Sequence, residues 1–439
     1  MRAAETPPLD FVRGDATGLS IPAHARALQD VGAAFLTEAF HTFGALAPDN
    51  RVARITRCEA CPGGSTGHKV FLTLDYANEQ PGLHTELFVK FSRDFSDPIR
   101  DRGRHELESE VRFAALSRHP AFPISVPISY FADYHHASGT GMLITSRVVF
   151  GTGGIEPHRQ KCLDYEIENP LEYYRTLITA LARLAAAHKS GLLSPQADTA
   201  FPFDPEVAAQ GDKIPWDATR VRELIARYAE LVTRAPQLFP AHLAVPEFIA
   251  QFEHEALRFL EHEAAIKRYL HGNPNFIALC HWNAHIDNAW FWRDDADQLH
   301  CGLLDWGRVR QLNLAYPLWG CLSGAPLEIW DDHLDDLLVL FARELHAHGG
   351  PRLDIAELRL HLQLYVATMG LAGMLIAPER ILFRLPEAVQ ASGPRDPLFR
   401  KSEQARNFLH IYTNFLNLWR THDFGASLDA FLRIERNSV

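Results

Sequence analysis

From about residue 50 the chain alternates apolar and polar positions in short runs broken by turn residues. RVARITRCEAC, HKVFLTLDYA and TELFVKFS follow one another, with PGGSTG between the first two. A period of two bounded by glycine, proline and serine predicts antiparallel strands. The period changes over His105 to Arg118, where Leu107, Val111 and Ala114 fall on one helical face. Two more β-rich runs follow, VPISYFADYH and GMLITSRVVF, separated by the turn-forming HASGTG. Five strands and one inserted helix are predicted for the first part of the chain.

Beyond residue 150 the pattern is mainly helical. Asn169-Pro170 with Glu172 predicts a helix start, the Asn capping, Pro at the first position and Glu reaching back. Leu177, Leu181, Leu184 and His188 recur at helical spacing up to Gly191, a helix stop. A second amphipathic run spans Pro246 to Leu270, with Phe252, Phe259 and Ile266 on its apolar side, and a further helix is expected from about Glu403 to Trp419. Between these lies FIALCHWNAHIDNAWFWRDDADQLHCGLLDWG, Phe276 to Gly307. It divides into an apolar lead-in, a polar loop from His281 to Asn288, and two strands turning at Arg293 to Gln298. Such a hairpin brings Asn288 and Asp305 to one end, where an amide oxygen and a carboxylate are hard ligands suited to Mg²⁺.

These residues resemble the aminoglycoside phosphotransferases and the choline and ecdysteroid kinase-like proteins, which share a protein-kinase-like fold. Their loop has the form H-G-D-x-H-x-x-N, followed by an apolar strand ending in Asp-Trp or Asp-Phe; here it is H-W-N-A-H-I-D-N, followed by LLDWG. The resemblance implies an α+β, bilobal fold, with a β-rich nucleotide-binding lobe over residues 1–150 and a mainly helical lobe over 151–439 that carries the loop and acceptor site. It implies ATP and Mg²⁺ as cofactors, bound in the cleft between the lobes, and a small-molecule acceptor. Gly63, Gly64, Ser65 and Gly67 resemble the turn that covers the phosphates, and Lys90 the lysine that grips them. Glu110 resembles the glutamate that positions this lysine, with Glu106 one turn away also eligible. The strand containing Met142 and Ile144 resembles the one that binds adenine through backbone groups. Asn288 and Asp305 take the metal positions, and His281, Asn283 and Asp305 the catalytic ones.

The pattern breaks at Asn283, where the family has the Asp that accepts the substrate proton; an amide cannot do so. Either transfer proceeds without a full base, or Asp287 or a neutral-range His285 substitutes, or the chain binds nucleotide without catalysis. Transfer of an adenylyl group is a further alternative. Trp282 replaces the usual glycine and places an indole beside the acceptor position. Asn313 to Trp319 lacks the Asp that commonly supports the loop, so another residue must do so.

Composition narrows the field without deciding it. With 47% hydrophobic and 22% charged residues the chain is of ordinary globular type. A net charge of -11 disfavours nucleic acid and anionic membranes as partners. MRAAETPPLDF has neither a basic nor an apolar leader region, and no run of eighteen apolar residues occurs, so a cytoplasmic location is expected. Six scattered cysteines form no disulfide framework. Cys58 and Cys61 lack a second pair for zinc, and Cys280, His281, His285, His300 and Cys301 match no zinc spacing. The one G-x-S-x-G, Gly63 to Gly67, runs into a strand pattern, against a hydrolase elbow.

Overall fold

A computed structural model describes residues 9–437 except 65, 194 and 212. The chain divides into two compact units. The first comprises Met1–Glu156, Leu193–Ala200 and Gly302–Arg310; the second comprises Pro157–Leu192, Phe201–Cys301 and Gln311–Val439. Together they are α+β: one unit is built on an antiparallel sheet and the other is mainly helical.

The first unit opens with a small hairpin, β1 (Phe11–Arg13) and β2 (Ser20–Pro22), and helix α1 (Ala25–Thr42). Its five-stranded antiparallel sheet contains β3 (Val52–Ala60), β4 (His68–Tyr76), β5 (Glu86–Phe91), β6 (Ser129–His135) and β7 (Thr140–Ser146), in the order β3-β4-β5-β7-β6. Between β5 and β6 come α2 (Pro98–Arg102) and α3 (Leu107–Leu116); α5 (Gln196–Ala200) also belongs to this unit. Strand alternation sends Val70, Leu72, Val89, Met142 and Ile144 to one face, where Leu28, Leu36 and Phe40 of α1 cover them. Ala132, Tyr134 and Leu143 point the other way and meet Leu107 and Ala114 of α3. The five strands and the inserted helix thus stand where the sequence pattern places them. The hairpin and α1 lie outside that prediction. Gly32, at φ +58 in the middle of α1, breaks the helical period and hides the element.

The second unit contains α4 (Pro170–Lys189), α6 (Pro205–Gln210), α7 (Ala218–Arg234), α8 (Pro246–Gly272), β8 (Ile277–Cys280) and β9 (Ala289–Arg293). β10 (Leu299–Leu303) pairs with β9, and β11 (Arg310–Asn313) with β8. Then follow α9 (Ala315–Leu322), α10 (Leu327–Ala347), α11 (Ile355–Gly373), α12 (Ala377–Arg384), α13 (Glu403–Thr421) and α14 (Phe424–Asn437). Phe252 and Phe259 of α8 pack edge-on against Trp419 of α13, and all three rings are fully buried. No single helix among the described residues is long and apolar enough to cross a membrane.

One predicted detail fails. Asn169 precedes α4, but its side chain makes no capping hydrogen bond. Glu172 does not reach back to it; its carboxylate takes a two-pronged bond from Arg293 at 2.8 and 2.9 Å. A charge-assisted pair with a guanidinium outcompetes a neutral backbone donor for the same carboxylate.

Candidate functional site

The centre of the first unit's site is Lys90. It lies near the end of β5 and is 6% exposed, and its ammonium bonds to the carboxylate of Glu110, itself 5% exposed, on α3. Glu106 instead faces Arg308, at 3.5 Å. Asp305 stands 3.8 Å from the Lys90 ammonium, with its side chain 50% exposed. Burial opposes the charge on Lys90, but the carboxylates of Glu110 and Asp305 outweigh it and hold its pKa above the ordinary value.

Asp305 is held by its neighbours in the chain. Trp306 stacks on Phe113 of α3, ring centroids 3.8 Å apart, and its indole N–H donates to the Leu303 carbonyl at 3.0 Å. Phe113 lies one helical turn beyond Glu110, so one helix positions both the partner of Lys90 and the seat of Asp305. Asp305 has φ +60, a left-handed conformation that Asp tolerates better than most residues. At Gly307 a Cβ would come within 3.0 Å of the Glu110 carboxylate. A side chain there would press on the ion pair.

The glycine turn leads into β4. Gly63, Gly64 and Gly67 have positive φ, while Ser65 lies outside the described residues. The turn passes directly into a strand, which is incompatible with a hydrolase elbow. Sequence reasoning missed Lys69. It pairs directly across from Lys90 in the β4–β5 ladder, so both side chains leave the same face of the sheet. Burial and the nearby Lys90 ammonium lower its pKa. Its place immediately after the glycine turn is the signal that was available.

Met142 and Ile144 correct the expectation of an adenine-binding strand. Both are fully buried in the sheet core. β7 lies inside the sheet and is paired with β5 on one side and β6 on the other. Neither side chain nor backbone at these positions is left to receive a ligand.

The loop from His281 to Asn288 belongs to the second unit. Backbone N–H of Asn283 donates to His281 Nδ1 at 3.1 Å, and the Asn288 amide N–H₂ donates to the Asn283 carbonyl at 2.9 Å. These bonds tie both ends of the loop to Asn283. The Asn288 amide oxygen and the whole Asn283 amide carry no hydrogen bond among the described residues. Support comes from below, where the Trp282 indole donates to the Tyr365 hydroxyl at 2.7 Å. Gly320 on α9 lies so close that a Cβ would sit 1.7 Å from the Trp282 carbonyl oxygen. At the end of β11, in the stretch where the supporting Asp is lacking, Asn313 donates to the Leu270 carbonyl and accepts Ala315 N–H. His188 is buried under the loop's lead-in and accepts Leu279 N–H at 3.2 Å.

His285 does not titrate near neutrality. Complete burial, then the charge of Lys161, pushes its pKa well below the ordinary value. Asp287 turns one carboxylate oxygen into the interior, where it has no hydrogen-bond partner among the described residues, and burial raises its pKa. Asp164 nearby is 2% exposed; one oxygen accepts the Tyr174 hydroxyl and the other has no partner among the described residues. Burial raises its pKa to about 7, against the Tyr174 bond and with help from Asp287.

In the first unit Asp305 presents a half-exposed carboxylate, and in the second unit the Asn288 amide oxygen carries no hydrogen bond among the described residues. No group of three or more His, Cys, Asp or Glu among the described residues is placed to hold a metal ion by itself. A lone half-exposed carboxylate such as that of Asp305 suits a cation held largely by phosphates and water, as Mg²⁺ is, and not a protein-caged ion. His300 bonds to Asp294 at 2.8 Å, in the turn of the β9–β10 hairpin.

No protein-family model matches the chain, and no curated protein does. Among solved structures it is similar to the GDP complex of wild-type aminoglycoside 2′-phosphotransferase IIIa, with 13% identity over 88% of this chain and 98% of that one, TM-score 0.40. It is similar to a choline/ethanolamine kinase family protein from Mesorhizobium loti, with 14% identity over 85% and 92% of the two chains, TM-score 0.40. A choline kinase from Cryptosporidium parvum Iowa II is 10% identical over 87% and 92%, TM-score 0.41. The structures that this chain is similar to are thus small-molecule phosphotransferases, and at such identity and TM-score its own function rests on its own side chains.

Proposed function

We propose that the chain is a phosphotransferase that takes ATP with Mg²⁺ and acts on a small-molecule acceptor. The observation that carries this reading is the buried, charged Lys90 held by Glu110 beside Asp305, with Lys69 directly opposite. Buried ion pairs contribute little to stability compared with apolar packing, so a pair with a second ammonium across the ladder is better explained by an anionic ligand. An ammonium has three donors; Glu110 occupies one, and the others are suited to phosphate oxygens.

Glu110 fixes Lys90, Lys90 and Lys69 neutralise phosphate charge, and the Gly63–Gly67 turn covers it. Asp305 would supply a hard oxygen ligand to the metal, and the Asn288 amide oxygen is of the type that the same role requires. Bound Mg·ATP supplies the transferable phosphoryl group and the metal charge that offsets it. Asn283 accepts a hydrogen bond from the acceptor hydroxyl and orients it, but takes no proton. The transition state of phosphoryl transfer is loose, so positioning and electrostatics sustain a slow reaction without a full base.

Titration calorimetry with ATP tests the reading. Mg-dependent binding that Lys90→Met weakens by at least about tenfold is the expected result, the loss of a charge-assisted contact. No binding at millimolar ATP, with the protein folded, would overturn it.

Asn283 favours one second reading, a nucleotide binder without transfer activity. Asn283→Asp separates the two. Restoring a positioned base is expected to raise turnover by about a hundredfold, with ATP affinity unchanged. Intact ATP binding with no turnover in either form would establish the silent reading.

A further inference from the structure

The sheet-containing unit has a cavity that the nucleotide reading leaves unused. It encloses about 540 Å³ beyond the C-terminal end of α3, walled by the turn at residues 80–83 and by the segment 124–130 that enters β6. Small-molecule sites commonly occupy about 300–1,000 Å³. Its lining has one guanidinium, Arg118, one imidazole, His119, and no carboxylate. On a chain of net charge -11 that is an unusual local balance.

Arg118 is fixed in place. It donates to the Gly44 carbonyl at 2.8 Å and the Ser129 carbonyl at 3.5 Å, and lies 4.8 Å from the centre of the Phe43 ring. These contacts orient the guanidinium without neutralising it. It forms no ion pair among the described residues, and partial burial unopposed by any carboxylate lowers its pKa. Two of its five N–H donors are used, leaving the others for a planar anion. His119 accepts Ala121 N–H through Nδ1 at 3.2 Å, and its Nε2 has no hydrogen-bond partner among the described residues. Leu83, Phe122 and Ile128, the last 53% exposed, give the cavity an apolar side.

We infer that this cavity binds a small organic anion, a phosphate ester or carboxylate with a short apolar body. Arg118 and His119 take the anionic group, and Leu83, Phe122 and Ile128 take the body. A preorganised guanidinium without a counter-charge gains a charge-assisted bond at little ordering cost.

Calorimetric titration with phenyl phosphate and citrate, and with neutral phenol as control, tests the site on the full chain. Phenyl phosphate is expected to bind with Kd below about 1 mM while phenol does not. Arg118→Gln is expected to weaken binding at least about tenfold, the loss of a bond to a charged group. Because Arg118 also ties Gly44 to Ser129, a second variant, Ile128→Glu, places a like charge at the exposed lip without removing a structural contact. Its thermal unfolding is expected to match the parent's while anion binding falls by a similar factor. No binding of either anion at about 10 mM, or binding that either substitution leaves unchanged, would overturn the inference.

Discussion

Asp305→Asn is expected to lower phosphoryl-transfer turnover by at least about a hundredfold and to remove the Mg²⁺ dependence of ATP binding. Single electrostatic contacts made to developing or transferred charge are commonly worth that much. The amide keeps the shape of the side chain and tolerates the left-handed φ of +60 at this position. Trp306 remains stacked on Phe113, and Lys90 remains bonded to Glu110, so the fold around the substitution is retained. What disappears is the one half-exposed carboxylate beside the Lys90 ammonium. Asp305→Ala is expected to behave likewise in binding, with an added cost of roughly 1 kcal/mol for Ala at positive φ. Parallel calorimetry and turnover assays separate the two effects, and Mg·ATP affinity equal to the parent's in both variants would remove Asp305 from the metal site.

The second large effect concerns stability in the helical unit. Asp164 has a folded pKa of about 7 against an ordinary 3.8, because burial penalises its charge. The folded state therefore binds more protons than the unfolded state between those values. Stability falls as pH rises through that window, and the full penalty is present above pH 7. Asp164→Asn keeps an acceptor for the Tyr174 hydroxyl and cannot ionise. At pH 4 the protonated acid presents one unpartnered O–H and the amide two N–H donors, so the variant is expected to be equal to the parent or slightly less stable. At pH 8 the variant is expected to be the more stable, by a difference on the order of 3–4 kcal/mol at most. Urea unfolding across this range measures it; parallel pH profiles for the two proteins would show that Asp164 is ionised without cost.

Much of the architecture is legible in the residues because local period and turn chemistry agree with the tertiary arrangement. HKVFLTLDY and ELFVKF read as strands and are strands, and LESEVRFAAL is the helix between β5 and β6. Lys90, Glu110 and Asp305 are legible through motif spacing, since each sits at a fixed point of its own element. Lys69 is not, because its place opposite Lys90 depends on strand register, a long-range property. Met142 and Ile144 mislead for a related reason. An apolar strand has the same pattern whether it lies at a sheet edge or between two neighbours, and only strand order reveals that its ladder is full on both sides. Glu172 does not reach back to the start of α4 because a distant residue, Arg293, claims its carboxylate.

The sheet-containing unit is discontinuous, and this affects the order in which it can be completed. Residues up to Glu156 supply the whole sheet and α3, yet Asp305 and the Trp306 ring that covers Phe113 arrive with Gly302–Arg310. During synthesis at about 5–20 residues per second, the nascent sheet waits some tens of seconds or less with that aromatic face uncovered. Through that interval Lys90 and Glu110 have each other but not Asp305, so the buried ion pair precedes its second carboxylate in the life of every molecule.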